Sequence, residues 1–135
     1  IGSGSGVVTA LLAWLIGKGE GNEVIGIDKF KSLIEQSKKN VRKIKNKETL
    51  ADMQFQTLDV YQLFHRSNTL GKFDIIYVGA EPKTNKDITF FMDSIPTLLK
   101  KNGVAVAPIG GALQIYSNGK WEETNIFTRF VPLER

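Results

Sequence analysis

The sequence predicts an α/β fold: a doubly wound, mostly parallel sheet that carries an antiparallel hairpin toward its C-terminal end. Three observations predict it. Short β-branched or apolar runs at residues 23–28, 53–60, 73–80 and 104–111 alternate with helix-patterned segments, the order that results when parallel strands are joined by helical crossovers. The chain opens on "IGSGSG" directly before an apolar stretch. Glycines alternating this way suit a turn where backbone approaches a ligand closely, since glycine tolerates positive φ and has no Cβ in the way. Lastly, Asn118-Gly119 lies between two strand-like segments, and that dipeptide is the strongest two-residue hairpin signal.

Each element follows in order. Residues 7–19, "VVTALLAWLIGKG", read as a helix closed by Gly17 and Gly19, whose first amides point back into the glycine loop and favour a polar or anionic ligand there. "EVIGID" is a short strand. In residues 29–47, Phe30, Leu33, Ile34, Val41 and Ile44 recur at helical spacing with Ser37 among them, while eight Lys or Arg stand against Glu35 alone. That is an amphipathic helix with a solvated basic face. Clustered charge also attracts acidic partners or nucleic acid, but no aromatic residue interleaves these lysines, so nucleic acid is disfavoured. "MQFQTLDV" is the second strand, "YQLFHRSNTLGK" a loop or short helix, and "FDIIYVGA" a buried strand. Residues 85–103 form a helix broken or started near Pro96, "VAVAPIGG" a further strand, and residues 112–133 antiparallel strands around Asn118-Gly119.

Composition narrows the class. With 135 residues, 41% hydrophobic and 24% charged, the chain can build one core, so residues 1–135 are expected to form a single domain. The absence of cysteine rules out disulfides and thiolate metal sites and fits a reducing, cytoplasmic setting. The longest apolar run is too short to span a bilayer, so no membrane partner is expected. The chain starts at Ile1, and it is expected to be the later part of a longer polypeptide.

Gly2, Gly4 and Gly6 give a GxGxG pattern. The dinucleotide fingerprint would place its third glycine where Val7 and Val8 stand, and a phosphate-binding P-loop would need a lysine well before Lys18. A GxGxG loop between strand and helix is instead how class I methyltransferases approach the methionine part of S-adenosylmethionine. Asp28 ends "VIGID", where doubly wound folds place an acid that accepts from ribose hydroxyls; the same residue could cap a helix beginning at Lys29. Asp59 ends the next strand and could meet an adenine amino group or cap the segment after it. His65, the single histidine, reads as a surface or structural residue.

Taken together, "GSGSG", "VIGID" leading to "NVRK", "FDIIYVGAEP", "LLKKNGVAVAPIGG" and "RFVPL" closely resemble the protein-L-isoaspartate (D-aspartate) O-methyltransferases, in that family's order and over nearly the whole chain. The resemblance implies a class I, Rossmann-like methyltransferase sheet. It implies methyl transfer from S-adenosylmethionine to the α-carboxyl of L-isoaspartyl and D-aspartyl residues in damaged proteins, which begins their repair. Gly2, Ser3, Gly4, Ser5, Gly6, Asp28, Lys29, Asp59 and Val60 would hold the cofactor. Gly79, Ala80, Glu81 and Pro82 match the loop beneath the peptide substrate, and Val131, Pro132 and Leu133 the tail that closes over it. No metal is implied and no catalytic side chain is assigned: a carboxylate is already a nucleophile and the sulfonium an activated donor, so alignment is the main requirement.

The departures are also specific. The family carries, ahead of the glycine loop, a hydroxyl-bearing substrate loop and the first, central strand of the sheet, of which Ile1 matches only the end. An upstream segment or another chain is therefore expected to complete the sheet. Val7 stands where an aromatic residue is common, Val60 replaces a glycine after Asp59, and the loop from Gly17 to Glu23 is longer than usual. These changes leave open a second reading, a methyltransferase-like structural or interaction module without catalysis. A nucleic-acid methyltransferase fits less well, because "VGAEP" stands where amino-group enzymes carry an Asn/Asp-Pro-Pro-aromatic loop.

Overall fold

The computed structural model describes residues 1–134 and shows a mixed α/β chain that divides into two compact units, one of Gly2–Asp59 and one of Ile1 together with the chain from Val60 onward. In the first unit, α1 (Val7–Ile16), β1 (Glu23–Asp28), α2 (Lys31–Arg42) and β2 (Asp52–Thr57) follow in sequence. The strands pair in parallel, from Glu23 opposite Asp52 to Asp28 opposite Thr57. A parallel pair needs a long crossover, and α2 supplies it. Its hydrophobic stripe explains why: Ile34 and Ser37 are buried, while the lysines lie on the outer side. The helix ends at Arg42 rather than running to residue 47, and Lys47–Thr49 form one 3-10 turn. A small core of Ala13, Leu50 and Ala51, flanked by Val24, Ile44 and Met53, ties α1 to the strands. The rest of α1 is less enclosed, with Trp14 65% exposed.

In the second unit, α3 (Val60–Leu63), β3 (Phe73–Tyr77), α4 (Asn85–Leu98), β4 (Leu99–Ile109), β5 (Ala112–Ser117) and β6 (Lys120–Phe127) build a four-stranded sheet in the order β3-β4-β5-β6. The β3–β4 pair is parallel and the remaining pairs are antiparallel. The described residues thus form two sheets, a parallel pair and a mixed four-stranded sheet. Phe91, Ile95 and Leu98 recur on one face of α4 and are fully buried, as are Val78, Ala105 and Ala107 of the same unit. Phe64 meets the rings of Phe90 and Phe91 edge-on at 5.5 and 5.8 Å, which fastens the segment after α3 to α4.

Several sequence expectations need correction here. Strand β2 stops at Thr57, so Asp59 lies beyond it and Val60 opens α3. The helix before β4 is neither broken nor started at Pro96. It begins at Asn85, where Thr84 Oγ1 caps it by accepting from the Asp87 N–H at 3.1 Å, and it runs through Pro96 to Leu98. Proline removes the N–H that would have bonded the carbonyl of Met92; the indole N–H of Trp121 donates to that carbonyl at 3.0 Å instead. The residues at 99–103 belong to β4, with an irregularity opposite β3 and Asn102 at φ 66. Gly110 and Gly111, at φ 65 and 83, form a second tight turn between β4 and β5 rather than a strand end. The turn at Asn118-Gly119 falls where expected, with φ 51 and 84, the positive pair that a type I′ hairpin requires.

Candidate functional site

The glycine loop is built by alternation of backbone conformation: Gly2, Gly4 and Gly6 have φ of 68, 51 and 89, values that side chains with a Cβ rarely adopt. The loop is held from three sides within its unit. Ser3 N–H donates to the carbonyl of Ile27 at 2.9 Å, at the end of β1. Gly4 N–H donates to Asp28 Oδ2 at 3.0 Å, while Asp28 Oδ1 accepts from Phe30 N–H, also at 3.0 Å. From α2, Ser37 Oγ lies 2.7 Å from the Gly4 carbonyl and 2.9 Å from that of Leu33, and Asn40 Nδ2 donates to the Ser5 carbonyl at 3.0 Å. Space favours glycine at Gly6 as well, because a Cβ there would sit 3.1 Å from Ser37 Cβ and 3.3 Å from the Phe55 ring, tight enough that these neighbours would have to give way.

Asp28 is 9% exposed. It does not cap a helix beginning at Lys29: α2 starts two residues later with Phe30 in the N-cap position, and Asp28 instead braces the loop and the Phe30 amide. Each carboxylate oxygen still has a second lone pair. Gly4 has open space where its Cβ would be, and Ser3 Oγ is enclosed without a hydrogen-bond partner. Lys29 is exposed, its ammonium 5.9 Å from the centre of the Phe30 ring. His65 is exposed.

In the second unit, the segment after β3 and the C-terminal tail come together. Ala80, Glu81 and Pro82 are buried. Glu81 N–H donates to the Val131 carbonyl at 3.0 Å and its own carbonyl accepts from Leu133 N–H at 2.8 Å, a single parallel bridge centred on Glu81 and Pro132. Gly79 N–H donates to the Ile1 carbonyl at 2.8 Å, and the Ile1 main-chain nitrogen donates to the Tyr77 carbonyl at 2.8 Å. The Glu81 carboxylate binds Lys83 Nζ at 2.8 Å through one oxygen and Gly111 N–H at 2.8 Å through the other. The Lys83 hydrogen bond holds its carboxyl below the ordinary value of 4.5; burial opposes this, and the Gly111 bond and the charge of Lys83 add to it.

A model of the protein-L-isoaspartate(D-aspartate) O-methyltransferase family matches residues 1–133. The chain belongs to this family. A probable protein-L-isoaspartate O-methyltransferase of Dictyostelium discoideum is 35% identical over 111 residues, which are 82% of this chain and 31% of that protein, so the chain spans about a third of the length of the curated relative it matches. Methyltransferases of this family generally use S-adenosylmethionine. Of the residues that the family resemblance singles out, the structure joins Gly4 to Asp28 in one unit, and Glu81 to Val131 and Leu133 in the other. Val60 is buried at the start of α3, and Asp59 lies in the short segment between β2 and that helix.

Two parts of the arrangement escaped the sequence reading. Ser37 and Asn40 brace the loop from α2, although Ser37 looked like a polar interruption of an apolar stripe. A small hydroxyl residue at a buried register of an amphipathic helix was the available signal. The Glu81 carboxylate holds the Gly110-Gly111 turn, a contact between residues 30 apart that no local pattern announces.

Proposed function

We propose that this chain forms part of an S-adenosylmethionine-dependent methyltransferase that esterifies the α-carboxyl of isoaspartyl, and D-aspartyl, residues in damaged proteins. The family match over residues 1–133 carries the reading. The loop fits the cofactor on its own chemistry. Its positive-φ glycines leave Gly4 open, Ser3 Oγ lacks a partner, and the Asp28 carboxylate retains acceptor capacity for ribose hydroxyls. Gly2, Ser3, Gly4, Ser5, Gly6 and Asp28 would hold it, joined by Lys29 just after β1, Asp59 just after β2, and Val60 next in the chain. When bound, S-adenosylmethionine supplies an activated methyl group.

On the substrate side, Gly79, Ala80, Glu81 and Pro82 would carry the peptide, with Val131, Pro132 and Leu133 alongside. The main-chain groups of Gly79 and Glu81 named above are already bonded, whereas those of Ala80 have no partner among the described residues. The peptide groups at Ala80 are therefore the ones left to pair with a substrate backbone, and the buried side chains of 80–82 keep that edge clear. The work of the chain is then orientation: a carboxylate oxygen, the methyl carbon and sulfur must lie in line, and no proton has to move.

We also infer that both units belong to one class I, Rossmann-like domain acting in the cytoplasm. A strand leading into Ile1 would continue the pairing that Ile1 makes with Tyr77 and Gly79. The test is direct. Full-length protein is incubated with methyl-labelled S-adenosylmethionine and an isoaspartyl peptide, and the product is treated with mild base. Label that enters the peptide and leaves as methanol supports an ester. Base-stable label, or none, would overturn the reading and favour the non-catalytic module.

A further inference from the structure

One recess in the second unit is not used by the reading above. It has a volume of about 800 Å³ and is lined by Lys83, Gly110, Gly111, Thr128 and Arg129, with Glu81 at its wall. We propose that this recess binds the carboxylate of an acidic residue flanking the isoaspartyl site in the substrate polypeptide, an inference that rests on the methyltransferase reading.

Charge is the first argument. Each oxygen of the Glu81 carboxylate accepts one bond, from Lys83 and from the Gly111 amide, and the charges of Lys83 and Glu81 offset one another. Arg129 is exposed and makes no ion pair among the described residues. The recess is therefore left with one uncompensated guanidinium, the group whose fork of donors matches a carboxylate. Hydrogen bonding is the second. Thr128 Oγ1 is enclosed and has no partner, and a buried hydroxyl without one is uncommon enough to call for a ligand or solvent. Thr128 lines the recess, and rotation of its side chain toward it would let a carboxylate accept from both Arg129 and Thr128 and satisfy the hydroxyl. Access is the third. Gly110, at φ 65, has nothing within 4 Å of where its Cβ would lie, so no side chain of that turn closes the rim. Continuity is the fourth. Glu81 lies on the wall of the recess and is bonded through its main chain to Val131 and Leu133, the segments assigned to the peptide, and Arg129 is two residues before Val131. A peptide held along Ala80 would carry a neighbouring side chain toward this corner.

The experiment uses full-length protein and paired isoaspartyl peptides that differ only in Glu or Gln at one position, scanned one to three residues on either side of the isoaspartyl. At one position the wild type should show a KM about five- to tenfold lower for the Glu peptide at equal kcat, the size expected of a partly solvated charge-assisted pair. Arg129→Gln should raise the KM of that Glu peptide to the level of its Gln twin, and Arg129→Lys should restore part of the difference. Thr128→Val, close to isosteric, should cut the preference about threefold. Calorimetric titration of the same peptides, which needs no turnover, judges the recess separately from the reaction: absence of methylation with the Glu preference intact would defeat the methyltransferase reading and keep the site. Equal affinity for Glu and Gln peptides at every position, or an equal loss for both in Arg129→Gln, would overturn the proposal.

Discussion

At the scale of single residues, Asp28 has two tasks. It braces Gly4 and Phe30 through one oxygen each, and the proposed function adds ribose hydroxyls to the same carboxylate. Asparagine offers only one acceptor oxygen, so Asp28→Asn leaves the Gly4 or the Phe30 N–H without its acceptor. A stability loss of about 1 kcal/mol is expected, together with a loss of S-adenosylmethionine affinity of about 1–3 kcal/mol. Thermal melting and calorimetric titration separate the two. A lower melting temperature with unchanged affinity would leave Asp28 as a loop brace only.

Glu81 gives a pH signature. Its carboxyl is depressed in the folded protein by Lys83, so the stabilisation is fully present above the ordinary value of 4.5 and is lost as pH falls through the lower folded value. Wild type should therefore melt above Glu81→Gln by a constant margin from neutral pH down to roughly pH 5.5, and the margin should close as pH drops below about 4.5. A margin that persists unchanged at pH 3 would remove Lys83 and Gly111 as its cause.

At the scale of elements, α4 illustrates a helix that accommodates a proline. Pro96 withdraws the donor for the Met92 carbonyl, and Trp121 on β6 replaces it. Trp121→Phe should cost about 1–2 kcal/mol of stability when Pro96 is present, since a carbonyl loses its partner. In Pro96→Ala the helix supplies its own N–H, and the same change should cost markedly less. The coupling is read from a double-mutant cycle in denaturant, and additive costs would show that the indole bond contributes nothing.

The same helix shows what a sequence can and cannot reveal. The α/β alternation, the basic amphipathic α2 and the Asn118-Gly119 turn were legible because each is written in a local period or a local backbone demand. The course of α4 was not. Proline ordinarily stops a helix, and here the carbonyl that it orphans takes a donor from 29 positions away in the chain. Strand β4 likewise starts earlier than its sequence suggests: "LKKNG" has a helix-ending pattern, but Leu99 pairs with Phe73 ahead of an irregularity that ends at Val104. In the candidate site, the glycine loop and Asp28 were visible in the sequence; Ser37 and Asn40 were not, because their roles depend on which face of α2 turns toward the loop.

At the scale of the whole molecule, charge and function separate. The basic face of α2 is exposed at Lys38, Lys39 and Lys43, and exposed charges are screened within about 8–10 Å at ordinary salt. Changing these three to Glu should leave methyl transfer to a short neutral isoaspartyl peptide nearly as in the wild type. A large, salt-dependent loss in a variant that melts normally would point to an acidic partner for this face. Across the described residues no helix is long and apolar enough to cross a membrane.

The central claim is that this chain serves a reaction selective for isoaspartyl carboxyls, with its main-chain edge at Ala80 and the tail at 131–133 presenting the peptide. The most direct measurement is kcat/KM of the full-length protein for two peptides of identical sequence, one containing isoaspartate and one ordinary aspartate, with S-adenosylmethionine as donor. Both peptides carry a free carboxylate that is ionised at neutral pH, so the main difference between them is the path of the backbone. The account predicts methyl ester formation on the isoaspartyl peptide with a preference of at least about a hundredfold, the discrimination expected when a misplaced backbone costs roughly 3 kcal/mol of alignment. Equal rates on the two peptides, or esterification of the aspartyl peptide alone, would contradict it.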